Sequence, residues 1–151
     1  MEDFLNYRKP SMFLITSFCN WKCCGGDISI CQNSSLNKLP SKELSYESLY
    51  KAYINNPITK AIVIGGLEPF MQTSEVYGLI KYFRDNGCDD TFVIYTGYTE
   101  EELQKEEVWD KLMELGNLVI KFGRYVPNQK PHFDEVLGVE LISDNQYAKE
   151  Y

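Results

Sequence analysis

Ala61-Ile62-Val63-Ile64-Gly65-Gly66-Leu67-Glu68-Pro69 runs from a block of β-formers into two glycines and a proline. Four unbroken apolar residues read as a strand covered on both faces, which is the pattern of a parallel sheet. Further on, Val76, Leu79, Ile80 and Phe83 recur at i, i+3, i+4 and i+7, so a helix follows the strand, and Gly87 is placed to stop it. This segment is one strand–loop–helix unit.

Working outward, the same unit repeats. Met12–Ile15, Phe92–Tyr95 and Leu118–Lys121 are further apolar runs, and Val139–Ile142 is a weaker one. Leu49, Ala52 and Tyr53 form a short helical stripe behind a possible cap at Ser45. Thr99-Glu100-Glu101-Glu102 is a capping box, with Leu103, Val108, Leu112 and Leu115 following on one side and Gly116 as the stop. Strand–helix alternation predicts right-handed parallel crossovers, hence an α/β fold of about five strands. A closed eight-stranded barrel needs roughly 250 residues. At 151 residues the expectation is a single domain over 1–151 built on an open or partly closed sheet.

The unusual sequences fall after the strands. A cysteine cluster follows the first, Gly65–Pro69 the second, Tyr95-Thr96-Gly97-Tyr98 the third and Phe122-Gly123-Arg124-Tyr125 the fourth. Ligands of parallel α/β proteins bind at the carboxyl ends of the strands, so these loops predict one site on one rim.

Cys19, Cys23, Cys24 and Cys31 lie close together in the first of those loops, while Cys88 stands alone and reads as a packed small residue. A secreted disulfide scaffold spreads its cysteines more evenly. A clustered set reads as metal binding, with Gly25 and Gly26 letting the loop turn around a metal group. Three thiolates on a four-iron cube leave one iron open to a small chelating molecule. Zinc with Cys24 as fourth ligand and buried structural cysteines are the alternatives, although zinc cysteines commonly come as two separated pairs.

The rest of the composition narrows the classes. The net charge is −7 with scattered lysines and arginines, which argues against a nucleic-acid surface. No stretch is long and apolar enough to span a bilayer. Met1–Lys9 is polar with no apolar signal core, so a cytoplasmic protein is expected. His132, the only histidine, sits in a proline-bounded loop and reads as an exposed or capping residue rather than a catalyst.

The cysteine loop resembles the Cys-x3-Cys-x2-Cys signature of radical S-adenosylmethionine (SAM) enzymes. Ile30 fills the apolar place before the last cysteine, and Cys31-Gln32-Asn33 resembles the Cys-His-Asn often found there. The second spacing is seven residues rather than two, which reads as an insertion around Gly25-Gly26-Asp27. Cys23 keeps the three-residue first spacing, so the resemblance implies Cys19, Cys23 and Cys31 as ligands of a [4Fe–4S] cluster, with Cys24 the competitor of Cys23. Gly65-Gly66-Leu67-Glu68-Pro69 resembles the Gly-Gly-Glu-Pro element that approaches the methionine part of SAM, with one Leu inserted.

Tyr95-Thr96-Gly97-Tyr98, Gly123-Arg124-Tyr125 and Ser143-Asp144-Asn145-Gln146 are similar to segments of the activating proteins of anaerobic ribonucleoside-triphosphate reductases. Members often carry Asp before Gly-Arg, where this chain has Lys121-Phe122. The resemblance implies an incomplete parallel β/α barrel of the radical SAM type. It implies SAM held by Gly65, Gly66, Glu68, Thr96 and Asn145, with no catalytic side chain assigned. It also implies an enzyme that cleaves SAM reductively and leaves a glycyl radical on the large reductase subunit, fed by flavodoxin or ferredoxin. A radical SAM enzyme acting on a small molecule, like the deazapurine carboxylate synthases, and a non-catalytic metal-binding module are the competing readings.

Overall fold

A computed structural model describes residues 1–151. Its centre is a mostly parallel sheet made by β2 (Ser11–Thr16), β3 (Ala61–Gly66), β4 (Thr91–Tyr95) and β5 (Leu118–Phe122), side by side in chain order. Antiparallel strands close its two edges: β1 (Glu2–Asp3) beside β2, and β8 (Tyr147–Glu150) beside β5. A separate hairpin is formed by β6 (His132–Asp134) and β7 (Val139–Leu141). The helices are α1 (Tyr46–Ile54), α2 (Thr73–Asp85), α3 (Glu100–Leu103) and α4 (Val108–Leu115), giving a mixed α/β protein. No helix is long and apolar enough to cross a membrane.

The two faces of the sheet are covered differently. Ile62, Ile64, Phe92, Ile94 and Leu118 point to one face, where Val76, Leu79, Ile80 and Phe83 of α2 and Leu112 of α4 bury them. Ala61, Val63, Val93 and Val119 point to the other, which carries no helix. There Leu137 and Leu141 of the hairpin and Tyr7 of the N-terminal segment cover only the lower rows. The upper part of that face stays open.

The helix starts agree with the sequence reading. Ser45 Oγ accepts from Ser48 N at 3.1 Å, and Thr99 and Glu102 exchange the reciprocal bonds of a capping box at 3.2 and 2.8 Å. Two expectations fail. The stripe from Leu103 to Leu115 is not one helix but α3 and α4, broken between them. Leu103 and Trp109 both pack with Ile120 and Phe122, and residues six apart on an unbroken helix point about 120° away from each other.

The fifth strand is also misplaced. Val139–Ile142 does not extend the main sheet, because β7 pairs with β6 across a turn held by Asp134 Oδ1 accepting from Leu137 N at 2.9 Å. The strand that joins β5 is Tyr147–Glu150, an edge strand that buries only Ala148 and so shows no apolar run.

Candidate metal centre

The uncovered part of the helix-free face is a cavity of about 510 Å³ at the carboxyl ends of the parallel strands. Its floor is the last inward-facing row of the sheet. The register aligns Ile15 with Gly65, Tyr95 with Lys121 and Lys121 with Ala148, and a Cβ on Gly65 would lie 3.2 Å from that of Tyr95. The missing side chain at Gly65 lets Tyr95 and Phe13 close over that position, and of the two glycines only Gly66 lines the cavity.

Cys19, Cys23, Cys24 and Cys31 form one wall of this cavity. The loop that carries them is built from three short 3-10 turns, Lys22–Cys24, Ile28–Ile30 and Ser34–Lys38. The inserted Gly25-Gly26-Asp27 makes the first bend. Both glycines have positive φ, and Asp27 Oδ1 caps the next turn by accepting from Ser29 N at 3.0 Å. Three bonds tie the loop to its neighbours: Glu68 N to Phe18 O at 2.8 Å, Asn33 Nδ2 to Gly66 O at 2.7 Å, and Asn20 Nδ2 to Tyr98 Oη at 2.9 Å.

All five cysteines are free thiols. Cys19, Cys23 and Cys31 are half-buried; Cys24 is buried and turns its Sγ to Trp21 O at 3.3 Å. Burial, and then the neighbouring Cys24, Cys31 and Cys19, push the Cys23 thiol up to about 11, and burial raises Cys19 as well. Crowded thiols resist ionising unless a positive group enters among them, which is why metal binding and thiol deprotonation are coupled.

Thiols are the donors that a 4Fe-4S cluster takes, and the four that line this cavity have open space beside them.

The second loop is tied to the loop after β4. Glu68 is buried, and its carboxylate is occupied by protein donors. Oε1 accepts from Thr96 Oγ1 at 2.7 Å and Phe70 N at 3.0 Å, while Oε2 accepts from Gly97 N at 2.8 Å. Burial pushes this carboxyl up, against the bonds from Gly97, Thr96 and Phe70 and the charge of Lys121, which hold it down. Thr96 Oγ1 also accepts from Tyr98 N at 3.0 Å, so the hydroxyl is engaged on both sides. Glu68 and Thr96 line the cavity, but as a latch that joins the loops after β3 and β4.

Gly66 has φ +92°, and a Cβ there would lie 2.7 Å from Ile15 Cγ2, so only glycine fits. Asn145 is not brought to the cavity. Its Nδ2 donates to Arg124 O at 2.8 Å, and it is Gln146 that lines the site, donating to Gly123 O at 3.3 Å. Asn145 is exposed, whereas Gln146 is buried and also accepts from Ser143 N at 3.2 Å. The Ser143–Gln146 segment thus braces the Gly123 loop. His132 is half-buried, its Nε2 2.8 Å from Gln146 O.

Lys121 is the site residue that sequence reading passed over. It lies in a strand of apolar residues, faces the cavity floor and is 7% exposed. The signal was present in Leu118-Val119-Ile120-Lys121-Phe122, where one charge interrupts a doubly covered strand.

Comparison with known proteins adds one match. A family model described as a 4Fe-4S single cluster domain matches residues 9–146, which takes in all four clustered cysteines and every loop of the rim. No curated protein and no solved structure matches the chain.

Proposed function

We propose, since the chain belongs to the family of 4Fe-4S single cluster domains, that it is a radical SAM activase that places a glycyl radical on an anaerobic ribonucleoside-triphosphate reductase. The observation that carries this reading is the position of Cys19, Cys23 and Cys31 on one wall of a cavity at the strand ends, with space left beside them. Those three would hold the cluster. Cys24 donates its thiol to its own turn and is left out.

A cluster held there would supply the single electron for reductive cleavage of SAM to methionine and a 5′-deoxyadenosyl radical, which would take a hydrogen atom from the target glycine. The electron comes from a flavodoxin or ferredoxin. The protein's part is to orient SAM and keep water out. Gly66 would offer bare backbone to SAM at the cavity wall, with Gly65 behind it, and the Glu68–Thr96 latch joins the two flanking loops.

A protein substrate is favoured by the apolar residues around the cysteine loop. Phe18, Ile28 and Ile30 are exposed there, and an apolar rim beside a site is a feature of partner surfaces. The partly covered sheet face gives a glycine-bearing loop a way in.

Anaerobically reconstituted protein, reduced in the presence of SAM, should form 5′-deoxyadenosine slowly by itself. Adding the reductase should give a glycyl radical doublet in electron paramagnetic resonance and start nucleotide reduction. Efficient turnover of a small molecule without a protein partner would favour the deazapurine-type reading. Cluster binding without SAM cleavage would leave a non-catalytic module.

A further inference from the structure

We infer that Lys121 is a charge-compensating residue of the metal centre, a buried ammonium that raises the reduction potential of the cluster held by the cysteine loop. The inference rests on the cluster itself and not on SAM cleavage.

Lys121 is on β5, flanked in sequence by Ile120 and Phe122, both fully buried toward the opposite face. Alternation along the strand turns its side chain to the cavity that Cys19, Cys23 and Cys31 also line. An ammonium has three donors. One goes to Gly123 O at 2.9 Å, a carbonyl already shared with Gln146. The face of Tyr95 lies 5.9 Å away and favours a cation.

No carboxylate forms an ion pair with it. The ion pairs of the protein join Arg8 to Glu150, Lys51 to Glu47, Lys81 to Asp85, Arg124 to Glu102 and Lys149 to Glu100. Glu68 on this face acts on it only through space, since its oxygens are held by Thr96, Phe70 and Gly97. A buried, unpaired charge is costly unless something of opposite sign arrives beside it.

A cluster on three thiolates brings such a charge. Binding requires the thiols to ionise, and each one-electron reduction adds one more negative charge in the same confined space. A cation in a low-dielectric cavity favours the reduced state over the oxidised one and so raises the potential. A residue that acts this way is positioned by its charge, so arginine should replace it and an isosteric neutral chain should not.

The test is the midpoint potential of the reconstituted full chain, measured by electron paramagnetic resonance titration with no SAM present. Lys121→Met and Lys121→Gln should bind the electron about tenfold more weakly, a fall of about 59 mV for a one-electron couple, at unchanged iron and sulfide. Lys121→Arg should stay near the wild-type value. Loss of the cluster in the two neutral variants but not in Lys121→Arg would equally support a required charge. The inference is overturned if the neutral variants titrate with the wild type, if Lys121→Arg falls as far as they do, or if all three lose the cluster. Wild-type protein that takes up no reducible cluster would defeat the cluster reading instead.

Discussion

Thr96 Oγ1 donates a 2.7 Å hydrogen bond to Glu68 Oε1, joining two buried side chains twenty-eight positions apart in the chain. The bond fastens the end of β4 to the loop after β3, and Glu68 carries it on to Gly97 N and Phe70 N. Thr96→Val leaves a buried carboxylate one donor short and Tyr98 N without its acceptor, a loss of about 1–3 kcal/mol for an unsatisfied buried group. Urea unfolding of cluster-free protein should read it. A midpoint equal to wild type would mean that the latch contributes nothing.

Cluster loading should separate the four clustered cysteines. Anaerobic reconstitution of the wild type should give about four irons and matching acid-labile sulfide per chain. Cys19→Ala, Cys23→Ala and Cys31→Ala should each lose most of both, while Cys24→Ala, which removes only a thiol bonded to Trp21 O, should retain them. Loss in Cys24→Ala with retention in Cys23→Ala would reverse the assignment of the middle ligand.

Gly66→Val should damage more than SAM binding. Its φ of +92° disfavours any side chain, and the new Cβ would meet Ile15 Cγ2 at 2.7 Å. Gly66 O also accepts from Asn33, two residues beyond Cys31, so a shifted Gly66 pulls on the cysteine loop. We expect lower iron content together with weaker SAM binding in equilibrium dialysis. Full iron loading with SAM binding alone impaired would separate the two loops.

Lys121 gives cluster-free protein a distinctive pH dependence. Burial pushes its ammonium down to about 8, against the partial support of Glu68 and Cys23, and the unfolded chain titrates near 10.4. Between these values the unfolded state holds a proton that the folded state has released, so this group makes stability rise with pH. The raised Cys23 thiol acts in the opposite sense over the same range, and comparison with Lys121→Met removes its share. From about pH 8 to pH 9.5 the wild type should gain roughly 2 kcal/mol on the variant in denaturant melts. Parallel profiles would show that the folded lysine keeps an ordinary affinity for its proton.

The parallel core was readable in the chain because a doubly covered strand must be apolar throughout. Ala61–Ile64, Phe92–Tyr95 and Leu118–Lys121 announce themselves by composition, and local capping bonds at Ser45 and Thr99 depend only on near neighbours. The cysteine cluster was legible for the same reason, since its ligands lie in one loop. Long-range pairing decided the rest. Tyr147–Glu150 joins the sheet through an antiparallel edge that needs no apolar run, and the break before Val108 serves a cluster assembled from distant strands. Glu68 and Thr96 meet across two loops, and the Ser143 turn faces Gln146 toward the cavity and Asn145 to Arg124 O. Lys121 looked like the end of a strand. Only the register that sets it beside Tyr95, on the one face without helices, turns it into the cavity that the cysteines line.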